Sequence, residues 1–371
     1  MQLNGKIWKR KDICLLPWTS LIIRRFFAET CCDFTRLLHY RSYSRPWKGE
    51  NIFNDDHFKL FRQSMIKNGM YKTCPGATCY RKMELKDWTC EQELEFNFTK
   101  GDKRREEICS SVINDISNER DKVNSGPIIL NVDPGSKCDM DCVFCCAGFE
   151  RRNKIERTNP TNEEIKMLRP YYKNCLNFHT CGAETFAWDD DRIELLQEPI
   201  NYDFSDVWAI TNGKKLTLQR YEKFFINGKM TYVYLSLSSL DPKNYYLLHR
   251  SKIDYVLENI IQITKKYPNH GIKRLSVVVT TLNYMELPEI VLFAALHGIK
   301  RIYVFSLLPR FLLYEGYGEW DILGGGFTLE IYNRLKEVIE RTKLMAKIHG
   351  ITVDGLENFW NKINKKYDMY V

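Results

Sequence analysis

A chain of 371 residues, 44% hydrophobic and 27% charged, has enough apolar surface for a core and exceeds one typical small domain, which excludes overall disorder. Its net charge of +8 is dispersed, because Lys and Arg interleave with Asp and Glu and the densest basic runs, Lys9-Arg10-Lys11 and Lys103-Arg104-Arg105, are short. A nucleic-acid-binding face is therefore not expected. The most apolar early stretch, Leu15 to Ile23, contains Pro17 and runs into Arg24-Arg25. It is short for a membrane span and lacks a signal-peptide cleavage pattern, so the expected location is the cytoplasm, with no membrane partner. Thirteen cysteines in a reducing compartment point to metal or cluster ligation rather than disulfides.

Residues 1–95 hold Cys14, Cys31, Cys32, Cys74, Cys79 and Cys90 among many aromatic residues, the profile of a small loop-rich module that needs a staple. Residues 96–125 are highly charged and read as a linker or exposed helix. From Pro127, strand-like and helix-like segments alternate. Ile128–Val132, Leu176–His179, Val207–Thr211, Tyr232–Leu237, Leu275–Thr280 and Ile302–Phe305 are apolar and β-prone. Between them lie helical patterns such as Ile253–Lys266, with Val256, Ile260, Ile261 and Ile263 on one face, and Leu287–His297, ended by Gly298. About six β-α units predict an α/β fold, a parallel sheet covered by helices over residues 126–310. A helical extension over 311–371 follows, with Leu329–His349 its main element.

Directly after the first strand comes Asp133-Pro-Gly-Ser-Lys-Cys138-Asp-Met-Asp-Cys142-Val-Phe-Cys145. Thiolates are the soft ligands of iron-sulfur clusters, and three on one loop can reach three corners of a cubane while leaving one iron open. An open coordination site is what a metal needs to bind a substrate or cofactor directly. A zinc site, or a cluster completed by a fourth ligand such as Cys146, uses the same residue types.

This loop, with Phe144 before its last cysteine, resembles the radical S-adenosylmethionine superfamily. The resemblance implies a partial (β/α)6 barrel, a [4Fe-4S] cluster on Cys138, Cys142 and Cys145, and S-adenosylmethionine chelated to the open iron. Gly182-Ala183-Glu184 is similar to the family's Gly-Gly-Glu motif for the cofactor's amino group, with Ala183 in place of the second glycine. Thr211-Asn212-Gly213 matches its third-strand turn. Ser236-Leu-Ser238-Ser-Leu-Asp241-Pro, followed by Arg250, is similar to its fourth-strand stretch, Ser238 replacing the usual Asp. Asn283 and Leu307 fall where relatives hold ribose and adenine. By the same resemblance Asn212, Ser236, Ser238 and Arg250 join the cofactor contacts.

The cysteine-rich N-terminal zone looks like the SPASM or shorter twitch module, here preceding the barrel rather than following it. Cys14, Cys32, Cys74 and Cys79 would hold an auxiliary [4Fe-4S] cluster, with Cys31 able to replace Cys32 and Cys90 spare; a structural zinc on the same thiolates is the alternative. The implied function is reductive cleavage of S-adenosylmethionine to a 5′-deoxyadenosyl radical and hydrogen abstraction from a peptide or a sugar-like metabolite. A flavodoxin or ferredoxin would supply the electron. A redox-neutral epimerase and a non-enzymatic electron carrier are the competing readings.

Overall fold

The computed structural model describes residues 13–24, 27–29, 52–73, 102–132, 137–154, 161–180, 182–198, 202–203, 205–307 and 317–370. Two compact units divide the chain: Met1–Gly135, Thr158–Cys181 and Asp191–Trp208 form the first, and Ser136–Arg157, Gly182–Asp190 and Ala209–Val371 the second.

The first unit holds β1 (Ser20–Arg24), β2 (Phe27–Glu29), β3 (Ile129–Val132) and β4 (Asn177–Thr180), in the order β2-β1-β3-β4. β1 runs parallel to β3, pairing Leu21 with Leu130, and β3 runs parallel to β4, pairing Leu130 with Phe178; only β2 is antiparallel. Its helices include α1 (Asp56–Thr73) and α2 (Lys103–Ser117), the latter inside the charged 96–125 stretch. α2 forms because Asp102 caps it, accepting from the amides of Arg104 and Arg105, and because Ile108, Cys109, Val112 and Ile116 recur at helical spacing and are buried. Arg62 ties this unit's loops together. Fully buried, it donates to the carbonyls of Pro17 (2.8 Å), Asp121 (2.9 Å) and Phe53 (2.7 Å) and to Asn54 Oδ1.

β5 (Asp206–Thr211) carries the chain from the first unit into the second at Trp208. The second unit continues with parallel strands in the order β6 (Tyr232–Ser236), β7 (Ile272–Val279), β8 (Arg301–Ser306) and β9 (Thr352–Asp354). Its helices include α3 (Cys146–Arg152), α4 (Pro242–His249), α5 (Asp254–Lys266), α6 (Leu287–Leu296), α7 (Leu329–His349) and α8 (Leu356–Tyr370). In α5 the buried stripe is Val256, Ile260 and Ile263, each contributing about 1.5–3 kcal/mol by leaving water. Ile261, expected on that stripe, is exposed, since it lies outside the arc those three define.

The six strands expected from Ile128 onward are β3 to β8, giving the α/β architecture with parallel pairing. β1, β2 and β9 were not foreseen. Among the described residues no helix is long and apolar enough to cross a membrane.

Candidate active site

The cysteine loop belongs to the second unit, and the C-terminal end of α4 holds it. The amides of Asp141 and Val143 donate to the carbonyls of His249 (3.2 Å) and Leu248 (3.0 Å), the last residues of α4. Arg250, next in the chain, caps α4 in the left-handed region (φ 52°, ψ 37°), an uncommon conformation for a side chain of its size. From the other side α3 starts at Cys146, with the Phe149 amide on the Cys145 carbonyl. Arg152 reaches back to Asp141 Oδ1 (2.7 Å) and to the carbonyl of Asp141 (3.2 Å). α3 lies so close to the loop that a Cβ at Gly148 would come within 2.8 Å of the Cys142 carbonyl oxygen.

No disulfide engages Cys138, Cys142 or Cys145. Burial pushes the Cys138 thiol up and the Cys142 thiol far above the ordinary range. A bound metal reverses that preference, because a coordinating thiol is held deprotonated. Among the described residues no three His, Cys, Asp or Glu side chains converge as a single metal ion requires. A four-iron cluster asks for a different arrangement, one thiolate per iron, and the three loop thiols fit it in number and softness.

His249 lies beside this set. Its Nδ1 is 3.1 Å from Cys142 Sγ, and its ring stacks on Tyr245 (4.3 Å) and meets Phe144 edge-on (5.4 Å). Its Nε2 is buried without a partner. Burial lowers its pKa to about 3, so the imidazole is neutral and its Nδ1–H can donate to a thiolate sulfur.

Glu184 is 2% exposed and caps a short turn, Thr185–Ala187. Its Oε1 accepts from Thr211 Oγ1 (2.7 Å) and the Phe186 amide (3.0 Å), and its Oε2 from the Asn212 amide (2.6 Å). A carboxylate offers about four acceptor sites, so one remains, on Oε2. No cationic side chain pairs with Glu184 among the described residues. Burial, the dominant influence, raises its pKa to about 7 against the three donated hydrogen bonds. A buried carboxylate with a vacant acceptor site suits an incoming ammonium. Gly182, two residues earlier, has φ 134°, a region that favours glycine.

Asn212 connects the two groups. Its Nδ2 donates to Asp139 Oδ1 (2.9 Å) and faces Cys138 Sγ (3.7 Å), and its Oδ1 accepts from the Lys214 amide (2.9 Å). Lys214 in turn donates through Nζ to the Asp139 carbonyl (3.0 Å). The structure therefore brings Cys138, Asn212 and Glu184 into one hydrogen-bonded neighbourhood, although 28 residues separate Glu184 from Asn212.

The other expected cofactor residues divide. Leu307 is buried against Val143, with Phe144, Val278, Tyr317 and Trp320 packed around the pair, so it does adjoin the cysteine loop. Arg250 donates from Nη2 to Tyr317 Oη (2.5 Å), and Tyr317 stacks on Trp320 at 4.4 Å. Ser236 ends β6 half-buried, and Ser238 is buried, its Oγ accepting from the Val278 amide (3.2 Å). Asn283 is buried and fully engaged. Its Oδ1 accepts from Thr280 N (2.7 Å) and Oγ1 (2.9 Å), and its Nδ2 donates to the Ser238 (2.5 Å) and Val278 (2.8 Å) carbonyls. That bonding makes it a strap between the ends of β6 and β7, with no hydrogen-bonding capacity left for ribose. Ala183 is half-buried beside Glu184.

Of the expected auxiliary ligands, Cys14 is buried in the first unit and in no disulfide. Cys32, Cys74 and Cys79, with Cys31 and Cys90, lie outside the described residues. Sequence reasoning missed His249, Asp139 and Lys214. The position of His249 immediately before Arg250 was the one available signal.

Residues 132–294 match the family model described as Radical SAM superfamily. This stretch, less than half of the chain, matches a radical SAM domain. Such a domain implies S-adenosylmethionine and a four-iron cluster. The chain is also 23% identical over 176 residues to the 7,8-dihydro-6-hydroxymethylpterin dimethyltransferase of Methanocaldococcus jannaschii, a stretch covering 46% of this chain and 34% of that protein. It thus spans about a third of that relative's length. Among solved structures, SuiB of Streptococcus suis bound to the precursor peptide SuiA aligns with a TM-score of 0.47 at 20% identity, over 80% of this chain and 65% of that one. The FeFe-hydrogenase maturase HydG of Carboxydothermus hydrogenoformans aligns with a TM-score of 0.41 at 14% identity, over 82% and 74%.

Proposed function

We propose that this protein is a radical S-adenosylmethionine enzyme that removes a hydrogen atom from a peptide or a sugar-like small molecule, with oxidation the outcome. The observation that carries this reading is a loop of three cysteines in no disulfide beside a buried, cation-free carboxylate that Asn212 joins to Cys138. Cys138, Cys142 and Cys145 would hold the cluster, and Glu184 would take the cofactor's ammonium on its remaining acceptor site. When bound, the cluster and cofactor together supply one-electron cleavage of a carbon-sulfur bond and a carbon radical able to abstract hydrogen.

The chain's own residues do the rest. The amides of Asp141 and Val143 fix the loop to α4, and Asn212 holds Cys138 and Glu184 in register. The apolar group around Val143 and Leu307 excludes water from the loop's flank. Arg250, anchored on Tyr317, offers a cation to the cofactor's carboxylate or ribose. An auxiliary cluster on Cys14, Cys32, Cys74 and Cys79 of a SPASM-like N-terminal module would accept an electron in an oxidation. Flavodoxin or ferredoxin would deliver the initiating electron.

Anaerobic reconstitution with iron and sulfide, then dithionite and S-adenosylmethionine, tests the reading. 5′-Deoxyadenosine should form, and its absence from protein carrying a full cluster would sink the proposal.

A further inference from the structure

Alternate residues of β7 face opposite sides of the sheet. Leu275, Val277 and Val279 are buried on one face, and Arg274, Ser276 and Val278 share the other. Val278 packs with Leu307 and Val143 against the cysteine loop. Arg274 lies four residues earlier on that same face, about 13 Å down the strand.

The surroundings of Arg274 are aromatic. Register sets Tyr234 of β6 opposite it, and the guanidinium carbon sits 3.8 Å from the Tyr234 ring centre and 5.2 Å from that of Tyr303 on β8. Two rings hold the cation in place, but ring faces satisfy none of its N–H donors. Among the described residues Arg274 makes no hydrogen bond or ion pair, and its Nε is buried without a partner. Asp354, the carboxylate whose charge reaches it, is engaged by Arg301 at 2.5 and 3.3 Å. Arg62 shows what a structural buried arginine looks like in this chain, with its donors spent on carbonyl oxygens. Arg274 is oriented and left unspent. Its planar fork matches a carboxylate or phosphate, two oxygens to two N–H groups.

We propose that Arg274, clamped between Tyr234 and Tyr303, anchors an oxyanion of the substrate, a carboxylate or phosphate, on the sheet face that leads to the cysteine loop. This rests on the reading of the chain as a radical enzyme and adds the substrate's chemical class. The group attacked would lie roughly one strand's length from the anchored anion.

The test uses the reconstituted protein with its cluster oxidised and arginine labelled with 15N. The Arg274 Nε–H resonance, assigned by its disappearance in Arg274→Lys, is followed during titration with inorganic phosphate and, separately, acetate. A saturable shift with either supports the site, and the anion giving the larger response identifies phosphate or carboxylate as its ligand. Equilibrium dialysis should show that anion binding to Arg274→Gln at least tenfold more weakly than to the native protein. No saturable shift with either anion, or equal binding to Arg274→Gln, overturns the proposal. Should Arg274→Gln fail to fold, the titration of the native protein decides alone. Formation of 5′-deoxyadenosine by the native protein needs no anion probe, so the radical reading stands or falls separately.

Discussion

At Glu184 burial and hydrogen bonding oppose each other, and the balance sits at about 7. An unfolded chain would ionise this group near 4.3. Between those values the folded protein binds the extra proton, so folding stability falls as pH rises from about 4.3 to about 7. With Glu184 holding the cofactor's ammonium as proposed, cofactor binding should run the other way, tightening as pH climbs through 7 and the carboxylate ionises. Urea unfolding at pH 5 and pH 8 should show the first effect, and its slope should vanish in Glu184→Gln. That variant should also lose about 1–3 kcal/mol outright, because its new amide group would face the Asn212 N–H, donor against donor. His249 is the second residue whose role is local. If Cys142 holds the proposed cluster, an N–H from His249 Nδ1, 3.1 Å from Cys142 Sγ, would stabilise its reduced, more negative state, so His249→Phe should lower the reduction potential found by dithionite titration. The cysteines were legible from spacing and Glu184 from its short motif. The proximity of His249 was not, because 107 residues of chain separate it from Cys142.

Among the elements, the strap at Asn283 makes the clearest demand. Its four hydrogen bonds close the turn after β7 and fasten it to the end of β6. Asn283→Ala would leave buried donors and acceptors unmatched, and an unfolding free energy lower by about 3 kcal/mol is expected from urea titration. The family resemblance put Asn283 where relatives hold the ribose, and sequence alone does not show that its side chain turns toward its own backbone. Long elements with strong periodicity were legible almost to their ends: Leu329–His349 is α7, and Ile253–Lys266 differs from α5 by one residue. β9 spans three residues, Thr352–Asp354, none of them buried, so it gives no alternation to detect. The buried face of α2 was hidden because its first turns are dominated by Lys, Arg and Glu.

For the whole molecule, the α/β class and the succession β3 to β8 were legible, because each of those strands is a short apolar run in a chain that alternates with helices. The setting of Arg274 was not, since no spacing rule links it to Tyr234 and Tyr303; strand register does. Cys142→Ala should carry about four fewer irons per chain than the native protein after anaerobic reconstitution, one four-iron cluster's worth. Three thiolates holding a cluster with one iron left open is the feature on which the proposed chemistry depends. Electron paramagnetic resonance of the dithionite-reduced protein, before and after addition of S-adenosylmethionine, measures this most directly. The account predicts that the cofactor shifts the cluster's g-values by binding the open iron; an unchanged spectrum from a full four-iron cluster would contradict it.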